Sequence, residues 1–150
     1  MPTPLVIAPA VATDAAAIAA LLRDAGLPHE DFAPHLAHFL VARTPGGAIA
    51  GAIGAEVCGR EALLRSLVVT PAWRGQGLGS RLLAGLERAA AAWGVERWWL
   101  LTLTADSFFA ARGFRAAPRA EAPPAIAATA EFAGLCPSVA SCWTRERRSA

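Results

Sequence analysis

A short glycine-rich stretch, Arg74-Gly75-Gln76-Gly77-Leu78-Gly79, carries the clearest chemical signal in this chain of 150 residues. It follows an apolar run at residues 63–69 and precedes apolar side chains that recur at helical spacing as far as Trp93. A glycine turn that opens a helix presents free backbone N–H groups and the positive end of the helix dipole, which together bind phosphate. Arg74 adds a permanent positive charge with a planar set of donors. This stretch together with Ser80 is called here the phosphate loop (residues 74–80). It predicts a ligand that carries a pyrophosphate.

Two common phosphate-binding patterns do not fit the phosphate loop. A kinase-type or ATPase-type loop needs Gly-Lys-Ser or Gly-Lys-Thr, and this chain contains no lysine. A dinucleotide fingerprint would have Ser80 where glycine or alanine is usual, and it would follow its strand through a tighter turn than residues 70–74 allow. The alternative without a ligand is a glycine turn that only caps the following helix. The pattern that remains is Arg-x-x-Gly-x-Gly after a strand that ends Val-Val-Thr-Pro.

The elements around this loop predict an α/β fold. We expect strands near residues 5–9, 38–43, 48–58, 62–69, 97–103 and 139–145, and helices near residues 14–25, 28–37, 80–93 and 105–112. These elements predict one domain over residues 1–150, with a mixed, mostly antiparallel sheet of six to seven strands flanked by about four helices.

Composition excludes several classes of protein. The net charge is only +2, which is too small to favour a nucleic-acid partner, and the basic cluster at residues 145–148 is interpreted as a solvated chain end. No apolar run is long enough to cross a membrane, and residues 1–4 lack the start of a secretory signal. The three cysteines form no metal-binding or redox motif. We therefore expect a cytoplasmic protein without metal, membrane or nucleic-acid partners.

The phosphate loop and its strand resemble the acetyl-CoA pyrophosphate loop of the GNAT superfamily of N-acetyltransferases. A second landmark of that superfamily, Phe-Tyr-x-x-x-Gly-Phe, appears as Phe108-Phe109-Ala110-Ala111-Arg112-Gly113-Phe114. In many relatives the tyrosine protonates the leaving CoA thiolate, so Phe109 removes the usual general acid. The resemblance covers nearly the whole chain. It implies that the parallel strands 62–69 and 97–103 splay apart and hold the thioester end of acetyl-CoA between them.

Three segments also resemble a narrower group, the second group of arsenic-resistance N-acetyltransferases. They are residues 63–69, residues 101–109 and the distinctive Thr129-Ala130-Glu131-Phe132-Ala133-Gly134-Leu135-Cys136-Pro137-Ser138. By analogy with the first group of arsenic-resistance acetyltransferases, the acceptor would be an amino-acid-like or arsenical toxin.

The resemblance implies direct attack of a neutral amine on the thioester of acetyl-CoA. The pyrophosphate would be held by the backbone N–H groups of Gln76, Gly77, Leu78, Gly79 and Ser80, next to Gly75, with Arg74 and Arg81 as charge partners. The pantetheine arm would pair with the backbone of Leu67 and Val69. The N–H of Val68 would polarise the thioester carbonyl, and Ser107 and Phe108 would line the other side of the arm.

Six further residues are candidates for catalysis and acceptor binding. Glu56 is the expected general base, with a solvent-facing strand residue as the alternative. Cys136 is the candidate proton donor in place of the missing tyrosine, with Ser138 as a second candidate. The alternatives for Cys136 are an arsenic-binding cysteine and a structural cysteine. Arg65, beside Ser66, would clamp an acceptor carboxylate or arsonate, unless it is an edge-exposed arginine. Thr104 would contact the substrate or cap the following helix.

Other activities stay open at this stage. The missing tyrosine favours a non-catalytic acyl-CoA-binding regulator, and acetylation of a protein is a further alternative to a small-molecule amine acceptor. A homodimer is common in the superfamily, and the sequence does not decide between it and a monomer.

Overall fold

The computed structural model describes residues 5–148, and within that range seven strands form one sheet in the order β1-β2-β3-β4-β5-β7-β6. The strands are β1 Val6–Pro9, β2 Phe39–Arg43, β3 Ile49–Cys58, β4 Glu61–Val69, β5 Arg97–Thr102, β6 Arg115–Ala116 and β7 Ser141–Glu146. The α-helices are α1 Ala15–Asp24, α2 Leu78–Ala92, α3 Asp106–Ala110 and α4 Pro124–Ala127, and a π-helical turn spans Glu131–Leu135. All neighbouring strands are antiparallel except β4 and β5. The predicted fold class is confirmed.

Helices cover both faces of the sheet. Alternate residues of β2 point to opposite faces, so Leu40 packs in the same cluster as Leu82 and Leu86 of α2, whereas Phe39 packs with Ile18 of α1. The helical spacing of the apolar residues in α2 places one stripe of leucines on the sheet. Burial of these side chains fixes α2, and therefore the loop before it, against β3 and β4.

The parallel pair β4 and β5 splays apart. Glu61 pairs with Arg97 and Leu63 pairs with Trp99, and the ladder ends there, although β4 continues to Val69 and β5 to Thr102. Toward its end, β4 carries a β-bulge against β3. Ser66, at the bulge, has a φ of +63°, which no other non-glycine residue in the described range matches in sign. An inserted residue bends its strand and increases the local twist, so the bulge helps β4 to diverge from β5.

Three local predictions differ from the structure. Residues 28–32 are not helical, and only a 3₁₀ turn at Ala33–His38 forms, in a segment whose prolines, Pro28 and Pro34, lack an N–H donor. The short strand β6 was not predicted, because two residues carry no pattern. The prediction that residues 145–148 are a solvated chain end is also wrong at Arg145, because its side chain is buried in an ion pair with Glu87.

No helix within residues 5–148 is long and apolar enough to cross a bilayer. The expectation that no secretory signal is present falls on residues 1–4, which lie outside the described residues.

Candidate active site

A cavity of about 420 Å³ occupies the gap where β4 and β5 separate. The end of β4, including Leu67 and Val69, forms one wall, and the end of β5 forms the other. Arg74 lies at one part of its lining, and Glu131 and Cys136 belong to the same lining. A single cavity therefore connects the phosphate loop to the distinctive segment 129–138.

The phosphate loop has the backbone that anion binding requires. Gly75 and Gly77 adopt left-handed conformations, with φ of +77° and +79°, and Gly77 is the N-cap of α2. The first N–H of α2 to find a partner within this helix is that of Arg81, which donates to Gly77 O at 3.2 Å. No side chain caps α2. The preceding backbone N–H groups are therefore free to bind a ligand.

The two arginines expected as charge partners differ in placement. The Nε of Arg74 donates to Val69 O at 3.0 Å, which holds this side chain at the cavity. An Nη of Arg81 donates to Leu5 O at 3.2 Å, so its guanidinium lies beside the start of β1. Arg74 is therefore the better placed of the two for a ligand in the cavity.

A third arginine, Arg112, lies beside the start of α2 and was not among the charge partners predicted from the sequence. Its guanidinium stacks on the Phe108 ring at 3.6 Å and donates to Phe108 O at 2.8 Å and to the Ser80 hydroxyl. The Phe108 ring in turn covers Gly79, where a Cβ would lie 3.3 Å from the ring. The spacing of Phe108 and Arg112, four residues apart in a helical segment, was the available signal. The stack adds positive charge next to the expected pyrophosphate position.

Arg65 is the centre of a buried ion cluster. Its side chain is 0% exposed, and its Nη1 and Nη2 each donate to Asp31 at 2.7 Å. Nη1 also donates to Glu56 at 2.7 Å, and Nε lies 3.2 Å from Glu131. We call Arg65, Asp31, Glu56 and Glu131 the Arg65 cluster. The expected alternative of an edge-exposed Arg65 is wrong, and the face expected to clamp an acceptor carboxylate is bound to Asp31.

The carboxylates of the Arg65 cluster face different surroundings. Glu56 contacts His35, with Nε2 and Oε1 3.3 Å apart, and it does not line the cavity. Burial acts to raise the pKa of Asp31, but the hydrogen bonds and charge of Arg65 outweigh burial and lower that pKa. Glu131 lines the cavity and is only 4% exposed. Burial raises the pKa of Glu131 to about 7, although Arg65 opposes the shift.

Cys136 is paired with Glu131 at the cavity wall. Its thiol donates to Glu131 Oε1 at 3.5 Å. Burial and the neighbouring Glu131 carboxylate raise the pKa of Cys136 to about 12, so the thiol keeps its proton at neutral pH. Phe109, at the position of the usual tyrosine, lines the same cavity with its apolar ring. The cavity lining therefore offers a thiol, and no phenol, near the position of the usual tyrosine.

The remaining acceptor candidates lie at the cavity, which continues into a second one. Ser66 lines the first cavity, and Thr104 lines both. Thr104 does not cap α3, because the N-cap is Ala105 and no side chain accepts a capping hydrogen bond there. The Thr102 hydroxyl accepts the N–H of Ala105 at 2.9 Å. The second cavity, of about 540 Å³, has mainly apolar walls that include Leu27, Leu101, Leu103, Leu135 and Pro137. Within residues 5–148, no group of three or more acidic, histidine or cysteine side chains is arranged to hold a metal ion.

Comparison with known proteins decides the family. The model of the acetyltransferase (GNAT) domain matches residues 35–116, which is more than half of the chain. The chain belongs to the GNAT acetyltransferase family. The matched range contains β4, the phosphate loop, α2, β5 and α3. The expected enzyme class, an acyltransferase with acetyl-CoA as co-substrate, is confirmed at the level of the family.

Solved structures of GNAT proteins share this fold. N-acetylglutamate synthase from Neisseria gonorrhoeae, complexed with coenzyme A and N-acetyl-glutamate, matches with a TM-score of 0.82 and 23% identity, over 99% of this chain and 36% of that chain. The chain therefore spans about a third of the length of that protein. The ribosomal-protein alanine N-acetyltransferase from Escherichia coli matches with a TM-score of 0.71 and 21% identity, over 97% and 96% of the two chains. A search of the curated proteins found no significant match.

Proposed function

We propose that this GNAT protein transfers the acetyl group of acetyl-CoA to the amine of a small molecule by direct attack on the thioester. The observation that carries the proposal is the cavity between β4 and β5, which runs from Arg74 to Glu131 and Cys136. Its volume of about 420 Å³, with the adjoining 540 Å³, suits a small ligand. Glu131 and Cys136, which could accept and donate a proton, line the same cavity as Arg74, where an amine would meet the thioester.

The donor would bind along the phosphate loop and the free side of β4. The backbone N–H groups of residues 76–80 would hold the pyrophosphate. Arg74, before α2, and Arg81, in the first turn of α2, would be its charge partners. The β4–β5 ladder ends at Leu63, so the backbone of Leu67 and Val69 is left to pair with the pantetheine arm. The sequence predicted that the Val68 N–H polarises the thioester carbonyl, opposite Ser107 and Phe108. Val68 pairs with Ala52 of β3, and consecutive residues of a strand point their N–H groups to opposite sides, so we propose the Leu67 N–H on the free side of β4 for this role.

The acceptor would enter near Thr104, which lines both cavities, and would reach Ser66 in the first one. The resemblance to arsenic-resistance acetyltransferases supports an amino-acid-like or arsenical toxin, and Glu131 and Cys136 both belong to the segment that carries it. An acceptor carboxylate or arsonate would have to share Arg65 with Asp31. The apolar second cavity suits an acceptor with an apolar body, so apolar amines belong among the candidates.

For the proton transfers, the sequence predicts Glu56 as base and Cys136 as acid. Glu56 does not line the cavity, so as a base it would have to act through a water molecule. We further propose that residues 1–150 act as one N-acetyltransferase domain in the cytoplasm, without nucleic-acid or membrane partners and with a homodimer as the assembly to look for. Phe109 favours one competing function, an acyl-CoA-binding regulator without catalysis, since the ring cannot donate a proton to CoA.

The test measures CoA thiol release with a panel of amines, alongside calorimetric binding of acetyl-CoA. The panel contains phosphinothricin, free amino acids, an aminoarsenical, apolar primary amines and a peptide with a free N-terminus. We expect turnover on at least one small amine and loss of acetyl-CoA affinity in Arg74→Ala. Arg60→Ala is the matched control, because Arg60 is exposed and pairs with Glu96 outside the cavity. Tight binding without turnover would support the regulator, and turnover on the peptide alone would support protein acetylation.

A further inference from the structure

We propose that Glu131 removes the proton from the acceptor amine and that Arg65 holds Glu131 in the position for this step. The inference rests on the proposed function, because it assigns the base for acetyl transfer in the same cavity.

Access separates Glu131 from the other acids of the Arg65 cluster. Asp31 has one oxygen on Nη1 of Arg65 and the other on Nη2, both at 2.7 Å. Glu56 has Oε2 on Nη1 of Arg65 at 2.7 Å and Oε1 next to His35 at 3.3 Å. Neither residue lines the cavity, whereas Glu131 does. Among the three carboxylates, only Glu131 can contact an amine that enters the cavity.

The position of Glu131 is fixed from two sides. Its Oε2 lies 3.2 Å from Nε of Arg65 as an ion pair, while the N–H of that Nε donates to Ser66 Oγ at 2.9 Å. Its Oε1 accepts the thiol of Cys136 at 3.5 Å. The Cys136 N–H also donates to the backbone oxygen of Glu131 at 3.1 Å, which closes the π-helical turn. A base must lie within hydrogen-bond reach of the proton that it abstracts. These contacts hold the carboxylate at the cavity wall before any ligand binds.

The charges around Glu131 favour proton uptake. Arg65 on β4 is one positive charge, and it is shared with Asp31, which follows α1, and with Glu56 on β3. His35 lies behind Glu56, the Cys136 thiol is neutral, and Arg119 bonds to Pro137 O at 2.6 Å beside the same segment. Two further carboxylates compete with Glu131 for one buried guanidinium. Burial is the main cause of the pKa of about 7 for Glu131; Arg65 opposes the shift, and the charges of Asp31 and Glu56 add to it. This value is near the best one for a base at neutral pH.

The proton balance of the reaction closes within this pair. The amine nitrogen bonds to the acetyl carbonyl carbon, and its proton passes to the Glu131 carboxylate. The carbon–sulfur bond then breaks, and CoA leaves as a thiolate. The Cys136 thiol gives its proton to the CoA sulfur and takes the proton held by Glu131. The products are the acetylated amine and the free CoA thiol, and both side chains return to their starting forms.

The test is the pH dependence of kcat/KM, expressed per concentration of neutral amine, for two amines from the panel whose own pKa values differ. We expect the wild-type rate to rise with pH and level off near pH 7 for both amines, because the group that titrates belongs to the enzyme. We call this rising part of the pH profile the limb. Glu131→Gln should lose the limb and fall about 100-fold or more at pH 8, with the acetyl-CoA dissociation constant within about twofold of the wild type. Glu56→Gln should keep the limb and move it to lower pH, because one negative charge near Glu131 is removed.

Several outcomes would overturn the assignment. An unchanged limb in Glu131→Gln, or a limb that follows the pKa of the amine, would contradict it while leaving acetyl transfer in place. If Glu131→Gln does not fold by circular dichroism, Glu131→Asp should keep the limb at a lower rate, and loss of the limb there would contradict it too. Wild-type protein without turnover would remove the proposed function and this assignment with it. For the relay, Cys136→Ser should retain more activity than Cys136→Ala.

Discussion

Arg65 is the residue whose role depends most on the fold. Its buried guanidinium balances part of the charge of three carboxylates that come from different segments. A buried ion pair adds little net stability compared with apolar packing, but removal of one partner leaves uncompensated charge and costs several kcal/mol. Under the proposed assignment, the cluster places Glu131. The free-energy cost of burying these charges appears as a loss of stability when Arg65 is removed.

We expect Arg65→Leu to lower the free energy of unfolding by about 3–5 kcal/mol at pH 8. The loss should be smaller at pH 5, where the orphaned carboxylates take up protons. Urea unfolding at both pH values measures the difference. The matched control is Arg60→Leu, which removes an exposed pair with Glu96 and should change stability by less than about 1 kcal/mol. A loss below about 1 kcal/mol for Arg65→Leu at pH 8 would contradict a buried cluster.

Glu131 should affect the pH dependence of the free energy of unfolding as well as the reaction rate. Its pKa is raised to about 7 in the folded protein from an ordinary value of 4.5, so the folded state binds its proton more tightly than the unfolded state. Its contribution to stability is therefore present below about pH 4.5 and is lost as the pH rises through about 7. Relative to Glu131→Gln, the wild type should lose up to about 3 kcal/mol between pH 4.5 and pH 8. Equal pH profiles in urea unfolding would contradict the shifted pKa.

At the scale of the residue, the sequence indicated which side chains could react but not which residues they contact. Glu131 was visible in the distinctive segment, yet nothing local showed that it meets Arg65, which lies 66 positions earlier in the chain. Glu56 was favoured because it is a carboxylate within an apolar strand, and only the contacts show that it turns toward Arg65 and His35. Spacing along a chain reports neighbours in one element, whereas an ion cluster joins several elements.

At the scale of the element, the start of α2 depends on backbone conformation. Gly77 has a φ of +79° and free space where a Cβ would lie. We expect Gly77→Ala to strain this turn by about 1–3 kcal/mol and to weaken acetyl-CoA binding about tenfold, because the loop relaxes away from the anion-binding geometry.

Calorimetry of acetyl-CoA binding measures this effect, with Gly59→Ala as the control. Gly59 lies in the turn between β3 and β4, with a φ of +68° and equal free space. Its substitution should cost similar stability and leave the affinity unchanged. If Gly77→Ala binds acetyl-CoA as tightly as Gly59→Ala does, the phosphate loop is not the anion site.

Sequence periodicity predicted most of the elements. The leucine stripe of α2 and the branched run of β4 follow from burial of one face or both, and the turns follow from glycine. The pattern failed at residues 28–32, where no helix forms, and at β6, which is defined only by pairing with β7. The sequence did not predict that Ser66 lies at the bulge, because a serine at positive φ carries no sequence signal.

At the scale of the whole molecule, the site exists because distant segments meet at the open end of one sheet. The segment after α1, the ends of β4 and β5, and the turn at residues 131–136 each supply part of the cavity wall. The family resemblance predicted the splay of β4 and β5, and the structure confirms it. The contribution of segment 25–31 to the wall and to the Arg65 cluster was not predicted, since this segment has no regular structure.

A crystal structure with acetyl-CoA would test the central claim most directly, because the claim concerns where the thioester lies. The account predicts the pyrophosphate on the backbone N–H groups of residues 76–80 and the acetyl group in the cavity between β4 and β5. The thioester carbonyl should lie within hydrogen-bond distance of a backbone N–H on the free side of β4, in the cavity that Glu131 and Cys136 line. A pyrophosphate bound away from the phosphate loop, or a thioester outside the gap between the two strands, would contradict it.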